Sequence, residues 1–325
     1  MKMDLSRRII RTSIDWSGAN LLLADYLAGR FTYRSRDEWC ERIASGEITL
    51  NGQIVPPETR LALHDLIEYR PGDIIEPPAD LDYHIVYEDD MILVIDKPGN
   101  LCMHPAGPFF KHTLWHLLCS KYGNIHFVNR LDRETSGLMI AAKDGETAGK
   151  LSTTLPDMFK CYNTVVHGTF PESMTAEGYL ITDTFSPIRK KQRFVSNNEV
   201  KNGFELPEKA VEVKTQFDLI KSNGKFSLVN AVLQTGRMHQ IRATLCSLGY
   251  PVTGDKLYGV NEQFYRKLAL DTLNADDRRE LVLDHQALHC CEISFIHPVS
   301  EQKITLHSPV PEEFTQLTAP EAQSK

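Results

Sequence analysis

The chain lacks the paired spacing that structural cysteine chemistry needs. Its seven cysteines (Cys40, Cys102, Cys119, Cys161, Cys246, Cys290 and Cys291) are odd in number and scattered, and they form no CxxC. A disulfide framework or a zinc knuckle is therefore not expected, and the thiols read as free in a reducing compartment. No apolar run approaches the roughly 18–20 residues of a membrane span. The N-terminus, MKMDLSRRIIRTSIDW, breaks its apolar pair with charges and has no signal-peptide core. A cytoplasmic protein that makes no use of a membrane is expected. Positive charge is short as well: 36 Lys and Arg against 43 Asp and Glu leave a net −7. Binding to nucleic acid through bulk charge is thereby excluded, and any such binding must come from local basic patches. Missing too are GxxxxGK[ST], GxSxG, GxGxxG and HExxH, which removes the commonest phosphate-loop, hydrolase, dinucleotide and zinc-protease readings.

What remains is an ordinary globular composition, 42% hydrophobic and 24% charged, in a chain long enough at 325 residues for two domains. PGDIIEPPADLDY (Pro71–Tyr83) gathers prolines and acidic residues, as a linker does. The expected divisions are an extension over 1–16, a small α/β unit over 17–75, a linker over 76–82, a main domain over 83–315 and a tail over 316–325. In the small unit, Leu21–Arg30 has helical apolar spacing, and a second helix runs to Gly46 behind an N-cap at Ser35 or Asp37. Asn51-Gly52 predicts a hairpin between two short strands, followed by LIEYRPGD as a further strand.

The main domain alternates hairpins with helices. Strands are predicted on both sides of Glu88-Asp89-Asp90, at Gly137–Lys143, at Lys160–Gly168, around an Asn223-Gly224 turn, and in a closing pair from Leu288 onward. Helices are predicted over 111–121, Glu146–Leu155 and His239–Gly249. Strands outnumber helices and come as hairpins, so an α+β fold is expected, with flanking helices on a mixed, largely antiparallel sheet.

Four segments carry candidate chemistry. Asn129-Arg130-Leu131-Asp132-Arg133 sets one carboxylate between two guanidiniums ahead of an apolar strand. Neighbouring arginines keep an aspartate ionised, so Asp132 can serve as nucleophile or base, or be no more than half of a structural ion pair. Arg237, His239, Gln240 and Arg242 crowd donors into a strand-to-helix turn, a natural anion site. Gly254–Gly259 (GDKLYG) is a glycine-bracketed loop. Arg189, Lys190, Lys191 and Arg193 place four positive charges in five residues, either a solvated face or a phosphate-binding patch. Tyr162, on a predicted strand, reads equally as a sheet aromatic or a site residue. The histidine pairs His112/His116 and His285/His289 have no acidic or cysteine partner at ligand spacing, and no metal site is expected.

RLDRETSGL (Arg130–Leu138), LQTGRMHQIR (Leu233–Arg242) and GYPVTGDKLYG (Gly249–Gly259), in that order, resemble the RluA-type family of RNA pseudouridine synthases. VYEDDMILVIDKPGNLCMHP (Val86–Pro105) and LHCCEISFIHP (Leu288–Pro298) extend the resemblance over about residues 82–314. The small unit resembles, through its Arg34-Ser35-Arg36 turn and Ile43–Gly52, the α-L RNA-binding module that often precedes this domain. The resemblance implies isomerisation of uridine to pseudouridine in structured RNA, with no metal or cofactor. It puts the catalytic aspartate at Asp132, its arginine partner at Arg242 and a base-stacking tyrosine at Tyr162. It implies phosphate or RNA contacts at Arg130 and Arg133, and the module resemblance adds Arg34 and Arg36; the donor-rich turn and the basic run offer Arg237, His239, Gln240, Arg189, Lys190, Lys191 and Arg193 as further RNA-binding candidates. Large-subunit ribosomal RNA is the expected substrate, with transfer RNA or a non-catalytic RNA-binding factor as alternatives and a monomer as the expected state. Asn129 stands where the family usually has His, and an orienting role is expected there.

Overall fold

The computed structural model describes residues 8–31, 34–72, 75–270 and 272–320. The first seven residues of the expected extension and the last five of the expected tail lie outside that range. The chain divides into two compact units, one of Met1–Pro77 with Ala106–Lys111, the other of Pro78–Pro105 with His112–Lys325.

In the first unit, three strands, β1 (Ile10–Ser13), β2 (Ile48–Leu50) and β3 (Leu66–Tyr69), form a sheet in the order β1-β3-β2. Two helices, α1 (Leu23–Arg30) and α2 (Arg36–Ala44), complete it. Helix α2 starts in a full capping box: the Ser35 hydroxyl accepts from the Glu38 N–H, and the Glu38 carboxylate accepts from the Ser35 N–H. Ile14, Leu23, Leu27, Trp39, Ile43 and Ile48 are enclosed between helices and sheet, and Trp39 meets Tyr69 edge-on at 5.3 Å. Two expectations are corrected here. Ile10–Ser13, assigned to an extension, pair antiparallel with Leu66–Tyr69. The Asn51-Gly52 turn forms, with φ of 51° and 80°, but the residues after it make no return strand. Pro56 and Pro57 lack the N–H groups a ladder needs, and β2 pairs with the distant β3 instead.

The second unit is built on an 11-stranded sheet. In chain order its strands are β4 (His84–Glu88), β5 (Ile92–Lys97), β6 (His126–Phe127), β7 (Ser136–Ala142), β8 (Phe159–His167), β9 (Ser173–Thr182), β10 (Gln192–Ser196), β11 (Val211–Ser222), β12 (Phe226–Leu233), β13 (Leu288–Ile296) and β14 (Lys303–His307). They lie in the order β10-β9-β11-β12-β8-β13-β7-β5-β4, with β14 beside β13 and β6 beside β7. Every pairing is antiparallel except β13 with β7, so the fold is the mixed, largely antiparallel α+β expected. Ile92–Ile95 and Leu138–Ala142 are buried on both faces, which explains why they read as apolar runs rather than alternating strands. Helices α3 (Leu114–Tyr122), α4 (Gly145–Thr154), α5 (Asn197–Lys201) and α6 (Gln240–Ser247) follow. Thr113 and Asp144 cap α3 and α4 with side-chain oxygens. Among the described residues no helix is long and apolar enough to cross a membrane.

Candidate active site

The loop between β6 and β7 carries Asp132 and is pinned from several sides. Lys97, at the end of β5, is wholly enclosed. Its ammonium donates to the carbonyls of Pro98 (2.7 Å), Leu101 (3.1 Å) and Arg133 (3.1 Å), so each of its hydrogens has an acceptor. Burial brings that ammonium down to about 7. Asn129 uses its Oδ1 to accept the N–H of Ile140 at 2.8 Å, an orienting contact that does not call for a titrating ring. Gln286 donates to the Thr135 hydroxyl. Gly137 then enters β7 at φ +103°, where a Cβ would stand 2.3 Å from the Cys290 carbonyl oxygen. Only a residue without a side chain lets β7 and β13 approach this closely.

Arg242 reaches that loop from the first turn of α6. Its Nη1 donates to Asp132 Oδ2 at 2.6 Å, while Nε and Nη2 grip Asp255 at 2.6 and 2.8 Å. A two-pronged grip on one carboxylate aims the remaining edge of the guanidinium at the other. Asp255 is fully enclosed and also accepts the N–H groups of Leu257 and Tyr258. It is the Asp of the GDKLYG loop, entered through Gly254 at φ +76°, where a Cβ would lie 2.1 Å from the His285 carbonyl oxygen. Asp132 differs in keeping about a third of its side chain exposed, at 33%. Burial works to raise its carboxyl, but the charge of Arg242 prevails and holds it below the usual carboxylate range. Burial opposes the Arg242 charge too, and Asp255 with Asp132 more than restores it.

Two rings complete the surroundings. Tyr162, on β8, lies across from Cys290 on β13 and is 7% exposed. Burial first, then the Cys290 thiol and the Asp132 charge, raise its phenol well above the ordinary value, so it is protonated at neutral pH. His239 sits at φ 57° ahead of α6, with Nε2 3.7 Å from Asp132 Oδ1. Burial lowers its imidazole to about 4, so it is neutral at pH 7 and offers a neutral N–H donor rather than a charge. Asp132, Arg242 and Tyr162, from three distant parts of the chain, thus share one electrostatic neighbourhood.

The remaining sequence candidates divide. Arg130, Arg237, Arg189 and Lys190 point outward, and the Lys190 ammonium lies 4.4 Å from the Tyr265 ring centroid. Arg133 pairs with Glu134 at 3.0 Å. Arg193 pairs with Glu199 at 3.0 Å and covers Phe204. In the first unit, Arg34 stands 3.9 Å from Glu38, and Arg36 donates to Asp25 at 2.6 Å. Two expected RNA contacts are corrected. Gln240 is 2% exposed; its Oε1 accepts from the Thr235 hydroxyl and the Arg237 N–H, and its Nε2 donates to Lys214 and Thr215 on β11. Lys191 turns inward to Glu262 at 2.6 Å. Both side chains build the scaffold. Asp255, Tyr258 and Lys97 received no role from sequence. Their motifs were visible, but nothing in the spacing of GDKLYG says that its Asp meets an Arg thirteen positions earlier. Among the described residues no group of three or more His, Cys, Asp or Glu could hold a metal ion.

Comparison with known proteins decides the family. The profile described as RNA pseudouridylate synthase matches residues 91–247. The chain is 31% identical over 304 residues to ribosomal large subunit pseudouridine synthase D of Xanthomonas campestris pv. campestris, covering 90% of this chain and 86% of that protein. The chain belongs to the RluA-type family of RNA pseudouridine synthases. This pseudouridine synthase is also 30% identical to the Vibrio cholerae protein of the same name as the first relative, covering 90% of this chain and 88% of the relative. It is 32% identical over 244 residues to a mitochondrial tRNA pseudouridine(32) synthase of Saccharomyces cerevisiae, covering 74% of this chain and 51% of that one. Its fold is similar to that of human RNA pseudouridylate synthase domain containing 1, with a TM-score of 0.55 and 21% identity over 72% of this chain and 86% of that one. The chain is therefore an RNA-modifying isomerase.

Proposed function

We propose that this pseudouridine synthase isomerises specific uridines in structured RNA, that large-subunit ribosomal RNA is its substrate, and that Asp132 starts the reaction. The observation that carries the assignment is the Arg242 bridge: one guanidinium grips the enclosed Asp255 and leaves its last edge on the half-open Asp132. Of the two carboxylates, one is wholly consumed in structure and one is reachable. A single available carboxylate suits isomerisation, whereas glycoside hydrolysis typically uses two. Asp132, ionised, acts on the ribose as nucleophile or base while the C1′–N1 bond breaks. The base then turns, C1′ joins C5, the C5 proton leaves, and N1 takes up a proton.

Reaching a uridine inside folded RNA requires flipping it out, at a cost of a few kcal/mol. Stacking on an aromatic ring returns about 1–3 kcal/mol, the role proposed for Tyr162. Its raised phenol makes it a stacking surface and hydrogen-bond donor rather than a resident phenolate. The outward Arg130, Arg237, Arg189 and Lys190 supply the local cations for phosphate that the net charge of −7 does not. The N-terminal unit is proposed to be the α-L RNA-binding module, adding affinity and placement but no chemistry. Transfer RNA is the second reading, favoured by the mitochondrial relative.

Mapping pseudouridines in total RNA from cells with the gene, without it, and complemented by Asp132→Asn tests the assignment. Loss of defined large-subunit sites without the gene, restored by wild type and not by Asp132→Asn, is expected. Sites lost only in transfer RNA would move the substrate to the second reading, and an unchanged map would refute both.

A further inference from the structure

We propose that His239 is a positioning residue of this reaction, held by the Tyr258 hydroxyl in the tautomer that directs an Nε2–H at Asp132. The inference rests on the reading of Asp132 given above. The Tyr258 hydroxyl lies 2.9 Å from the backbone nitrogen of Gln192 and 2.9 Å from Nδ1 of His239. A backbone N–H can only donate, so Gln192 occupies an acceptor direction of the phenol oxygen. Tyr258 is wholly enclosed, and among the described residues its hydroxyl makes those two hydrogen bonds. If Nδ1 also donated to it, the phenol hydrogen would be buried without an acceptor. The Nε2 lone pair would then face a carboxylate. Both faults vanish when the phenol donates to Nδ1 and the ring proton sits on Nε2, facing Asp132 Oδ1 at 3.7 Å.

A second oxygen of Asp132 is thereby supplied with a neutral donor, opposite the Arg242 contact on Oδ2. The charged and titratable groups around His239 are Asp132, Asp255, Arg242, Lys190 and Tyr258; burial, assisted by the charges of Arg242 and Lys190, outweighs the two carboxylates and keeps the ring neutral. A neutral donor orients the carboxylate without adding a charge that would weaken it as nucleophile or base. At 3.7 Å the contact is longer than a hydrogen bond in the free enzyme and closes as Asp132 engages the ribose, as catalytic contacts commonly do.

The full-length enzyme labelled with ¹⁵N-histidine supplies a readout that needs no activity: long-range ¹H–¹⁵N correlation spectra near neutral pH, with the His239 signal assigned by its loss in His239→Gln. An Nε2–H tautomer is expected in wild type, and Tyr258→Phe is expected to shift the ring toward the other form and to lower turnover. His239→Ala should reduce kcat about tenfold or more while leaving KM for RNA within about twofold, and His239→Gln, which keeps an N–H donor, should recover part of the loss. An Nδ1–H tautomer in wild type, or an effect of His239→Ala confined to KM, overturns the proposal. Full activity in Asp132→Asn would instead sink the underlying reading whatever the spectra show.

Discussion

At the scale of single residues the site turns on how one cation is shared. Arg242 faces Asp255 and Asp132 in a buried setting, so removing it leaves two carboxylates without their counter-charge. Breaking such a pair costs about 3–5 kcal/mol. Arg242→Met is therefore expected to lower the stability of the second unit by about that amount, read by denaturant unfolding. Arg242→Lys keeps the charge but loses the two-pronged grip, so it should stay folded and turn over poorly. The pH dependence follows from two depressed groups. Asp132 is held below the usual carboxylate range, so it stays ionised across neutral pH, and turnover is lost only as pH falls through its lowered value. His239 is depressed to about 4 from roughly 6.5 in an unfolded chain. The unfolded state therefore binds the extra proton first, and stability falls as pH drops from about 6.5 toward 4. Thermal unfolding of wild type and His239→Gln across that window should show a shallower acid loss in the variant. The pairing of Asp132 with Arg242 was legible through the family resemblance carried by RLDRETSGL and TGRMHQIR, whereas the residues alone left Asp132 open between a site residue and a structural ion pair. The roles of Asp255, Tyr258 and Lys97 were not legible, because each depends on which backbone carbonyl or distant side chain the fold brings to it.

Elements show a similar division. Periodicity placed α2, α3, α4 and α6 within a few residues, with the Ser35 cap read for α2; the structure adds Thr113 and Asp144 as the caps of α3 and α4. Hairpins with adjacent arms, β4–β5 and β11–β12, were legible too: Asn223-Gly224 fixes its own turn. Strands β9 and β10 went unread because the connection between them carries no Asn-Gly-type turn signal, and the return of β2 to β3 because that pairing is set by a more distant partner. Gln240 shows the same limit: the donors of the 237–242 turn look alike in sequence, yet this side chain accepts from Thr235 and Arg237 and donates to Thr215 on β11. Its truncation to Ala should cost about 1–3 kcal/mol through unsatisfied buried groups and reduce turnover by loosening the turn. Gly137 is the sharpest case among the strands. A Cβ there would stand 2.3 Å from the Cys290 oxygen at φ +103°, so Gly137→Ala is expected to destabilise by about 2 kcal/mol or more, measurable by unfolding of the full chain.

For the whole molecule, two units and a net charge of −7 frame the encounter with RNA. Attraction must come from arginines and lysines left outward, since Lys191, Arg193 and Arg36 already face carboxylates. Removal of residues 1–77 should weaken RNA binding and flatten its salt dependence, because phosphate contacts release counterions. The segment Ala106–Lys111 belongs to the first compact unit, with Glu76 accepting the N–H groups of Phe110 and Lys111. The sequence boundary at 76–82 marked a change of composition and could not show that a later loop returns to the first unit. If Asp132, held ionised by Arg242, starts the isomerisation, tritium release from RNA carrying 5-³H-uridine depends on it, since forming the bond to C5 expels that hydrogen. Wild type is expected to release tritium and Asp132→Asn to fall by about 10³-fold or more while binding the same RNA with unchanged affinity; equal release by the two proteins would contradict the account.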